Sequence, residues 1–255
     1  MLIDTHCHLN FPVFSERRAE VITEAARQGV GKIVVPGVSA KGWAELLKMT
    51  ESSDDLFPAL GLHPCFISEH KDSDLRQLEE MLAGHRDSVV AVGEIGLDLF
   101  ISDPQFEQQL ALFEAQLALA ERFELPVLLH VRKAHDQVLA RLRRLKLQRG
   151  GIVHAFSGSR QQAEHYLKLG FKLGFGGAIS YSRATKLRRL AAELPLEALV
   201  LETDAPDMPL ADYRDRPNEP ARVRQVAELI ASLRGIELRQ VAAVTSATAS
   251  CLLGL

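Results

Sequence analysis

The residues able to do chemistry in this chain come in short groups, each at the end of an apolar run. Leu2-Ile3 leads into Asp4-Thr5-His6-Cys7-His8, and Phe57–Leu60 leads into Gly61-Leu62-His63-Pro64. Val89–Val92 leads into Gly93-Glu94-Ile95-Gly96-Leu97-Asp98. Two further runs end in His130 and His154, and a last one ends in Glu202-Thr203-Asp204. Imidazole and carboxylate are ligands for divalent cations. His6 and His8 stand two apart, so on an extended chain both project to one side and can grip one ion. Taken alone, a His-x-His pair reads equally well as structural. Six groups at equivalent positions do not, because each would bury an unpaired polar side chain at a cost of several kcal/mol. Metal ligation is the most economical compensation.

Four histidines and two carboxylates exceed what one tetrahedral ion with an open position requires. Two ions about 3.5–4 Å apart and sharing one carboxylate account for all six. The reading places His6, His8, Glu94 and Asp204 around one ion and Glu94, His130 and His154 around the other, with Glu94 as the bridge. A ligand set without thiolate suits Zn, Mn, Ni or Mg and leaves the choice among them open. Two such ions lower the pKa of a water between them and polarise an electrophile. Glu94 and Asp204 are the expected catalytic carboxylates, Asp204 also accepting the proton from that water.

These groups need a scaffold that brings strand ends together. The predicted strands are Leu2–His8, Lys32–Pro36, Phe57–Leu60, Val89–Val92, Val127–His130, Gly151–His154, Phe171–Phe175 and Leu199–Glu202. Each is nearly continuous in apolar residues, as strands of a parallel sheet buried on both faces are. Helical patterns lie between them: Glu16–Gln28 (capped by Ser15, with Gly29 beyond its end), Trp43–Glu51, Leu75–Leu82, Pro104–Arg122, Lys133–Leu145, Arg160–Leu169 and Arg183–Leu194. Two more, near Ala221–Leu233 and Glu237–Leu253, close the chain. Eight βα units in order, with no Gly, Ser or Pro-rich linker, predict an α/β TIM (β/α)₈ barrel over 1–255 as one domain rather than an open doubly wound sheet. In such a barrel the C-terminal strand ends converge on the face that carries active sites.

Composition agrees with that class. Hydrophobic residues make up 47% of the 255, enough for a large core, and the net charge of −3 gives no global basic field. A nucleic-acid partner would therefore be held by a local patch. Cys7, Cys65 and Cys251 are too few and too scattered for a disulfide framework, which predicts a reduced, cytoplasmic chain. There is no signal-peptide pattern and no membrane-length apolar run. The absence of a long apolar surface stripe predicts a monomer.

The groups quoted above, with Pro126-Val127-Leu128-Leu129-His130, Val153-His154-Ala155-Phe156-Ser157-Gly158 and Leu201-Glu202-Thr203-Asp204-Ala205-Pro206, resemble the TatD family of metal-dependent deoxyribonucleases, nearly end to end and in order. Gly96-Leu97-Asp98-Leu99-Phe100 and Ala205-Pro206-Asp207-Met208-Pro209-Leu210 look closest to its bacterial YjjV-type branch. The resemblance implies a TIM barrel, a cytosolic location and phosphodiester hydrolysis, as a 3′-5′ exonuclease on single-stranded DNA. It implies the same ligands, His6, His8, Glu94, His130, His154 and Asp204, with His63 contacting substrate phosphate. Three departures fall in loops over the site and bear on substrate choice. Cys65 stands where many members have a second His after the Pro. Val131-Arg132-Lys133-Ala134 replaces the commoner Ser-Arg-Asp-Ala, and Pro217-Asn218-Glu219-Pro220 replaces Arg-Asn-Glu-Pro.

Plainer roles suit other residues. Asp4 and Glu202 are expected to orient ligands by hydrogen bonding rather than to bind metal. Asp98 is expected to cap or to pair with Arg132, and Cys7 to face the barrel wall. His70, His85, His135 and His165 fall in helices or loops and are expected at the surface. Arg132, Lys133, Arg160 and Arg183 follow strand ends. They either line the mouth and position a phosphate backbone, Arg132 first among them, or are ordinary helix-start charges. Phe156 and Phe175 either stack on a base or fill the core. The rival activity is an amidohydrolase-type cleavage of a C–N or carboxylic ester bond, which the same barrel supports. Many such enzymes bridge their metals with a modified Lys, whereas Glu94 occupies that place here.

Overall fold

Strands made of uninterrupted Val, Ile and Leu have no polar face to turn to water, so they are stable only when covered on both sides. The computed structural model describes all 255 residues and meets that demand with alternating strands and helices. The elements are β1 Leu2–Asp4, α1 Arg18–Arg27, β2 Val30–Pro36, α2 Ala40–Glu51, β3 Leu56–Leu60, α3 Asp72–Gly84, β4 Ala91–Asp98 and α4 Phe106–Arg122. They continue with β5 Val127–Arg132, α5 His135–Leu145, β6 Gly151–Val153, α6 Arg160–Lys168, β7 Phe171–Phe175, α7 Thr185–Glu193, β8 Leu199–Leu201, α8 Val223–Arg234 and α9 Leu238–Leu253. Strands pair in chain order and every pair is parallel.

The sheet closes between its first and last strands just past their regular ends. Thr5 N donates to Leu201 O at 2.9 Å, Asp204 N to His6 O at 2.8 Å and His8 N to Ala205 O at 2.7 Å. Cys7 and Ala205 form an isolated parallel bridge. The closing seam is therefore made of the very segments that carry His6, His8 and Asp204. β1 is accordingly shorter than expected: its regular ladder ends at Asp4, and His6 and His8 lie in the seam.

Most of the core lies between barrel and helices. The barrel interior is a separate layer of Ile3, Val34, Ala59, Ala91, Leu128, Ile152 and Val200, one residue from each of seven strands, with Ala249 and Leu253 of α9 packed against it. Strand periodicity of two then positions the chemistry. Two residues beyond Leu128, Ile152 and Val200 come His130, His154 and Glu202, on the same inward face and one layer higher. β4 breaks that rhythm. Its pairing with β5 shifts register between Val92 and Ile95, which brings Glu94 inward three residues after Ala91. β4 also runs six residues past the predicted end at Val92, and all eight of its residues are buried. Gly93 and Gly96 resemble a strand terminus in sequence. In the fold they permit close approach instead, since a Cβ on Gly96 (φ +146°) would strike the backbone carbonyl of His130.

Helix starts deviate in detail. Ser15 does not cap α1, which begins after Arg17. Pro104 lies before α4, whose N-cap is Gln105 in a left-handed conformation. Gly29 (φ +84°) does follow the end of α1, as a C-terminal glycine should. No helix is long and apolar enough to cross a membrane.

Candidate metal centre

Glu94 is buried at the centre of the C-terminal face, and its two oxygens look in different directions. Oε2 lies 3.1 Å from His6 Nε2 and 3.4 Å from His8 Nε2. Asp204 Oδ1 completes that side at 3.8 Å from His6 Nε2 and 3.6 Å from His8 Nε2. Oε1 lies 2.9 Å from His130 Nδ1, 3.1 Å from His63 Nε2 and 3.9 Å from His154 Nε2. His154 sits between the two sides. Its Nε2 is also 3.6 Å from Asp204 Oδ2, and its ring stacks on His6 with centroids 3.7 Å apart. Ligands sharing one ion at bond lengths of about 2.0–2.2 Å lie roughly 3–4 Å from one another, which is the spacing seen on both sides of Glu94.

The outward contacts of the rings decide which nitrogens are free. His8 Nδ1 faces the Pro36 carbonyl at 3.3 Å. His130 Nε2 faces Asp98 Oδ2 at 2.9 Å, and His154 Nδ1 faces Glu202 Oε1 at 3.2 Å. The Pro36 and Asp98 oxygens accept, so His8 Nδ1 and His130 Nε2 carry the hydrogen and in the neutral ring the inner nitrogen presents a lone pair; the Glu202 carboxylate beside His154 Nδ1 favours the same form by its charge. Lone pairs aimed at Glu94 and Asp204 repel unless positive charge lies between them, so the donor set fits divalent cations. His63 differs. Its Nδ1 accepts from Cys65 N at 3.1 Å, so its Nε2 carries the hydrogen and donates toward Glu94. It is a donor beside the centre rather than a lone-pair ligand.

Electrostatics carry the same demand. Burial raises the Glu94 carboxyl, but the charges of His63 and His6 outweigh it and hold the group well below the usual carboxylate range. Burial lowers His130 and His154, yet Asp98 and Glu94 lift the first to about 9, and Glu202 and Asp204 lift the second to about 10. Burial raises Asp204 to about 6 against the opposing charges of His154 and His8. The carboxylates require positive charge at their centre, which protons or divalent cations in their place provide.

The supporting residues only partly follow expectation. Glu202 is buried, faces His154 and accepts from Ala155 N at 2.6 Å; Gly174 leaves room for it, since a Cβ there would strike its carboxylate. Asp4 does not touch an imidazole. It accepts from the backbone of His6 at 3.2 Å and Thr203 at 3.0 Å, and from Thr203 Oγ1 at 2.6 Å, tying the two seam segments together. Its own carboxyl is pushed up to about 8 by burial. Asp98 does cap, accepting from Phe100 N at 2.8 Å, but it does not pair with Arg132; it also holds His130 and accepts from Cys65 Sγ at 3.3 Å. That position was visible as a carboxylate four residues past Glu94, but not its partner. Cys65 lies beside His63 and His130, and burial together with Asp98 pushes its thiol up to about 12, so it is a hydrogen-bond donor there. Cys7 is fully buried, as expected.

Sequence reasoning missed Phe11, whose ring stacks on His8 at 4.5 Å, and Asn218, buried in the Pro217–Pro220 segment. Asn218 Nδ2 donates to Thr203 O at 2.8 Å and to Met208 O at 3.3 Å, fastening the loop that carries Asp204. Asp204 itself has φ +58°, a left-handed conformation uncommon outside glycine and a mark of constrained functional backbone. Replacing Asp98 by Asn leaves a neutral acceptor on His130 and should weaken metal affinity by about 10–100-fold. Competition with a chromophoric chelator measures this; unchanged affinity would show that Asp98 does not act on the centre.

The pocket over the centre encloses about 660 Å³, within the usual range for small-molecule sites. Arg132 lines it and stacks on the exposed Phe100 at 4.1 Å. Arg160 is instead paired with Glu164 and Glu193, and Lys133 is exposed outside the pocket lining. Phe156 and Phe175 are core residues. Of the histidines expected at the surface, His70 bonds the His63 carbonyl at 2.9 Å and His135 is buried against Tyr166.

Burial, then Lys186, depress His135 to about 4. Its ordinary value is near 6.5, so between these two values the unfolded chain binds the extra proton and stability falls as pH falls. A His135→Gln variant should remove about 2 kcal/mol of the loss between pH 7 and pH 5. Urea midpoints at both pH values test it; parallel losses in variant and parent would refute it.

A parallel eight-stranded barrel with imidazoles and carboxylates gathered at its C-terminal strand ends defines the metallo-dependent hydrolase type. The TatD related DNase model matches residues 3–254, and the chain belongs to the TatD family of metal-dependent hydrolases. It is 50% identical over 232 residues to the uncharacterized metal-dependent hydrolase YjjV of Escherichia coli (strain K12), covering 91% of this chain and 90% of that one. The crystal structure of YjjV superposes with a TM-score of 0.97 at 46% identity over 100% of this chain and 98% of that one. A more distant relative, 33% identical over 264 residues and the full length of both proteins, is the 3′-5′ ssDNA/RNA exonuclease TatD of Erwinia amylovora.

Proposed function

We propose that this chain hydrolyses phosphodiester bonds at the 3′ end of single-stranded DNA, at a centre of two divalent ions. The observation that carries the reading is the divided carboxylate of Glu94, with His6, His8 and Asp204 on one side, His130 on the other, and His154 between them within reach of both. Two ions bound there supply charge neutralisation at the phosphate oxygens and a water acidic enough to attack near neutral pH. The chain's own residues do the rest. Asp98 fixes the tautomer of His130 by hydrogen bonding, and the charge of Glu202 beside His154 Nδ1 favours the hydrogen there, so both inner nitrogens stay free. His63 carries its one hydrogen on Nε2 and would turn it from Glu94 to a bound phosphate oxygen, and Arg132 at the pocket wall adds a second donor. The Asp204 carboxylate accepts the proton of the attacking water.

The nuclease reading is supported by the E. amylovora relative and by a glutamate, Glu94, in the place where many C–N hydrolases of this fold carry a modified Lys. Single-stranded oligonucleotides labelled at either end, incubated with metal-loaded protein and with a chelator control, test it. The expected result is stepwise shortening from the 3′ end that the chelator abolishes, with DNA and RNA substrates run in parallel. Retained metal with no cleavage of either, but turnover of an amide or carboxylic ester, would replace this reading by the amidohydrolase one.

A further inference from the structure

On the far side of Met208 from the centre lies a second groove of about 490 Å³, lined by Ala178, Tyr181, Arg183, Ala184, Met208 and Pro209. Met208 lines both cavities, so the groove adjoins the pocket over the centre. The groove is built by the segments that follow β7 and β8. Tyr181 is fixed at its centre, its hydroxyl donating to Pro209 O at 3.0 Å. The guanidinium of Arg183 lies over the Tyr181 ring at 5.5 Å and that of Arg214 at 4.9 Å. Both arginines are exposed, and neither makes an ion pair or a hydrogen bond within the protein. That sets them apart from Arg160, Arg189 and Arg224, whose charges are met by Glu164, Glu193 and Glu228. Asp212 and Asp215 share the Arg214 loop; both are exposed and paired with neither arginine.

An aromatic ring extended by unpaired guanidinium planes suits a single nucleic-acid strand. Bases stack on such a surface whatever their identity, and the cations meet the backbone phosphates. In a chain of net charge −3 this is the kind of local patch that binding a polyanion requires. A small diester bound at the metal centre would not reach past Met208.

We infer that this groove holds the nucleotides on the 5′ side of the scissile bond, with Tyr181 and its two arginines stacking a base and Arg183 and Arg214 contacting backbone phosphates. The inference rests on the nuclease reading above. Metal-loaded parent and Arg183→Ala/Arg214→Ala protein should be compared on bis(p-nitrophenyl) phosphate and on a single-stranded DNA dodecamer across a salt series. The double variant should raise KM for the dodecamer about tenfold, and the slope of log KM against log salt should fall by roughly 1.4, for two phosphate contacts. Both kinetic constants for the small diester should stay at parental values. Tyr181→Ala should raise the dodecamer KM at least threefold and Tyr181→Phe should restore it; if Tyr181→Ala misfolds, the surface arginine variants still decide. An active parent whose double variant keeps both the dodecamer KM and the salt slope overturns the groove assignment alone. A parent that cuts the small diester but no oligonucleotide overturns the nuclease reading and the groove with it.

Discussion

Replacing Glu94 by Gln is expected to abolish two-metal binding and to lower kcat/KM for an oligonucleotide by at least about 10³-fold. The substitution keeps size and shape at a fully buried position, so the barrel should fold normally. What changes is charge and polarity at both oxygens. Gln offers one acceptor, and its NH₂ group turns hydrogens toward imidazole nitrogens that already face inward at 2.9–3.9 Å. On the proposed two-ion reading one side of the centre would lose its shared ligand, and with it several kcal/mol of transition-state charge stabilisation, about three powers of ten in rate. Elemental analysis, circular dichroism and steady-state kinetics on one preparation check this. A variant that holds two ions and turns over within tenfold of the parent would show that Glu94 is not the bridge.

Asp204→Asn should give the second large loss, about 10²–10⁴-fold in kcat, the range for a general base. Asn is the informative substitution because the backbone here has φ +58°, which Asn tolerates better than Ala. Ala would add strain in the loop that Asn218 fastens, and a loss of activity could then be a loss of geometry. In Asn the oxygen that faces His6 and His8 persists, so affinity for the first ion should fall less than kcat does. KM for the dodecamer should stay within a few-fold, since the groove beyond Met208 is untouched. A KM effect larger than the kcat effect would move Asp204 from proton transfer to substrate binding.

The architecture was legible because parallel strands buried on both faces leave unbroken apolar runs, and because inward side chains recur at every second residue of a barrel strand. The same periodicity that put Leu128 and Ile152 inside put His130 and His154 above them. What could not be read was the local departure from that rhythm. The register shift in β4 is invisible in Val92-Gly93-Glu94-Ile95, so the strand seemed to stop where it continues to Asp98. Partners distant in sequence were also hidden. Asp98 looked free to pair with Arg132, its neighbour across β4 and β5, and only the fold shows its carboxylate on the His130 ring. Its place two residues before His6 suggests that Asp4 orients an imidazole, whereas the closing seam gives it the backbone of His6 and Thr203. His135 was misplaced because the start of α5 reads as polar and exposed, while the packing of α5 against α6 buries the ring against Tyr166.

In the proposed function Glu94 joins two ions in one hydrolytic centre. Stoichiometric titration of chelator-stripped protein with Mn²⁺ or Zn²⁺, read as cleavage of the 5′-labelled oligonucleotide, tests it most directly. Activity should stay low up to one equivalent and reach its plateau at two. A plateau at one equivalent, or no cleavage when two ions are bound, would contradict it.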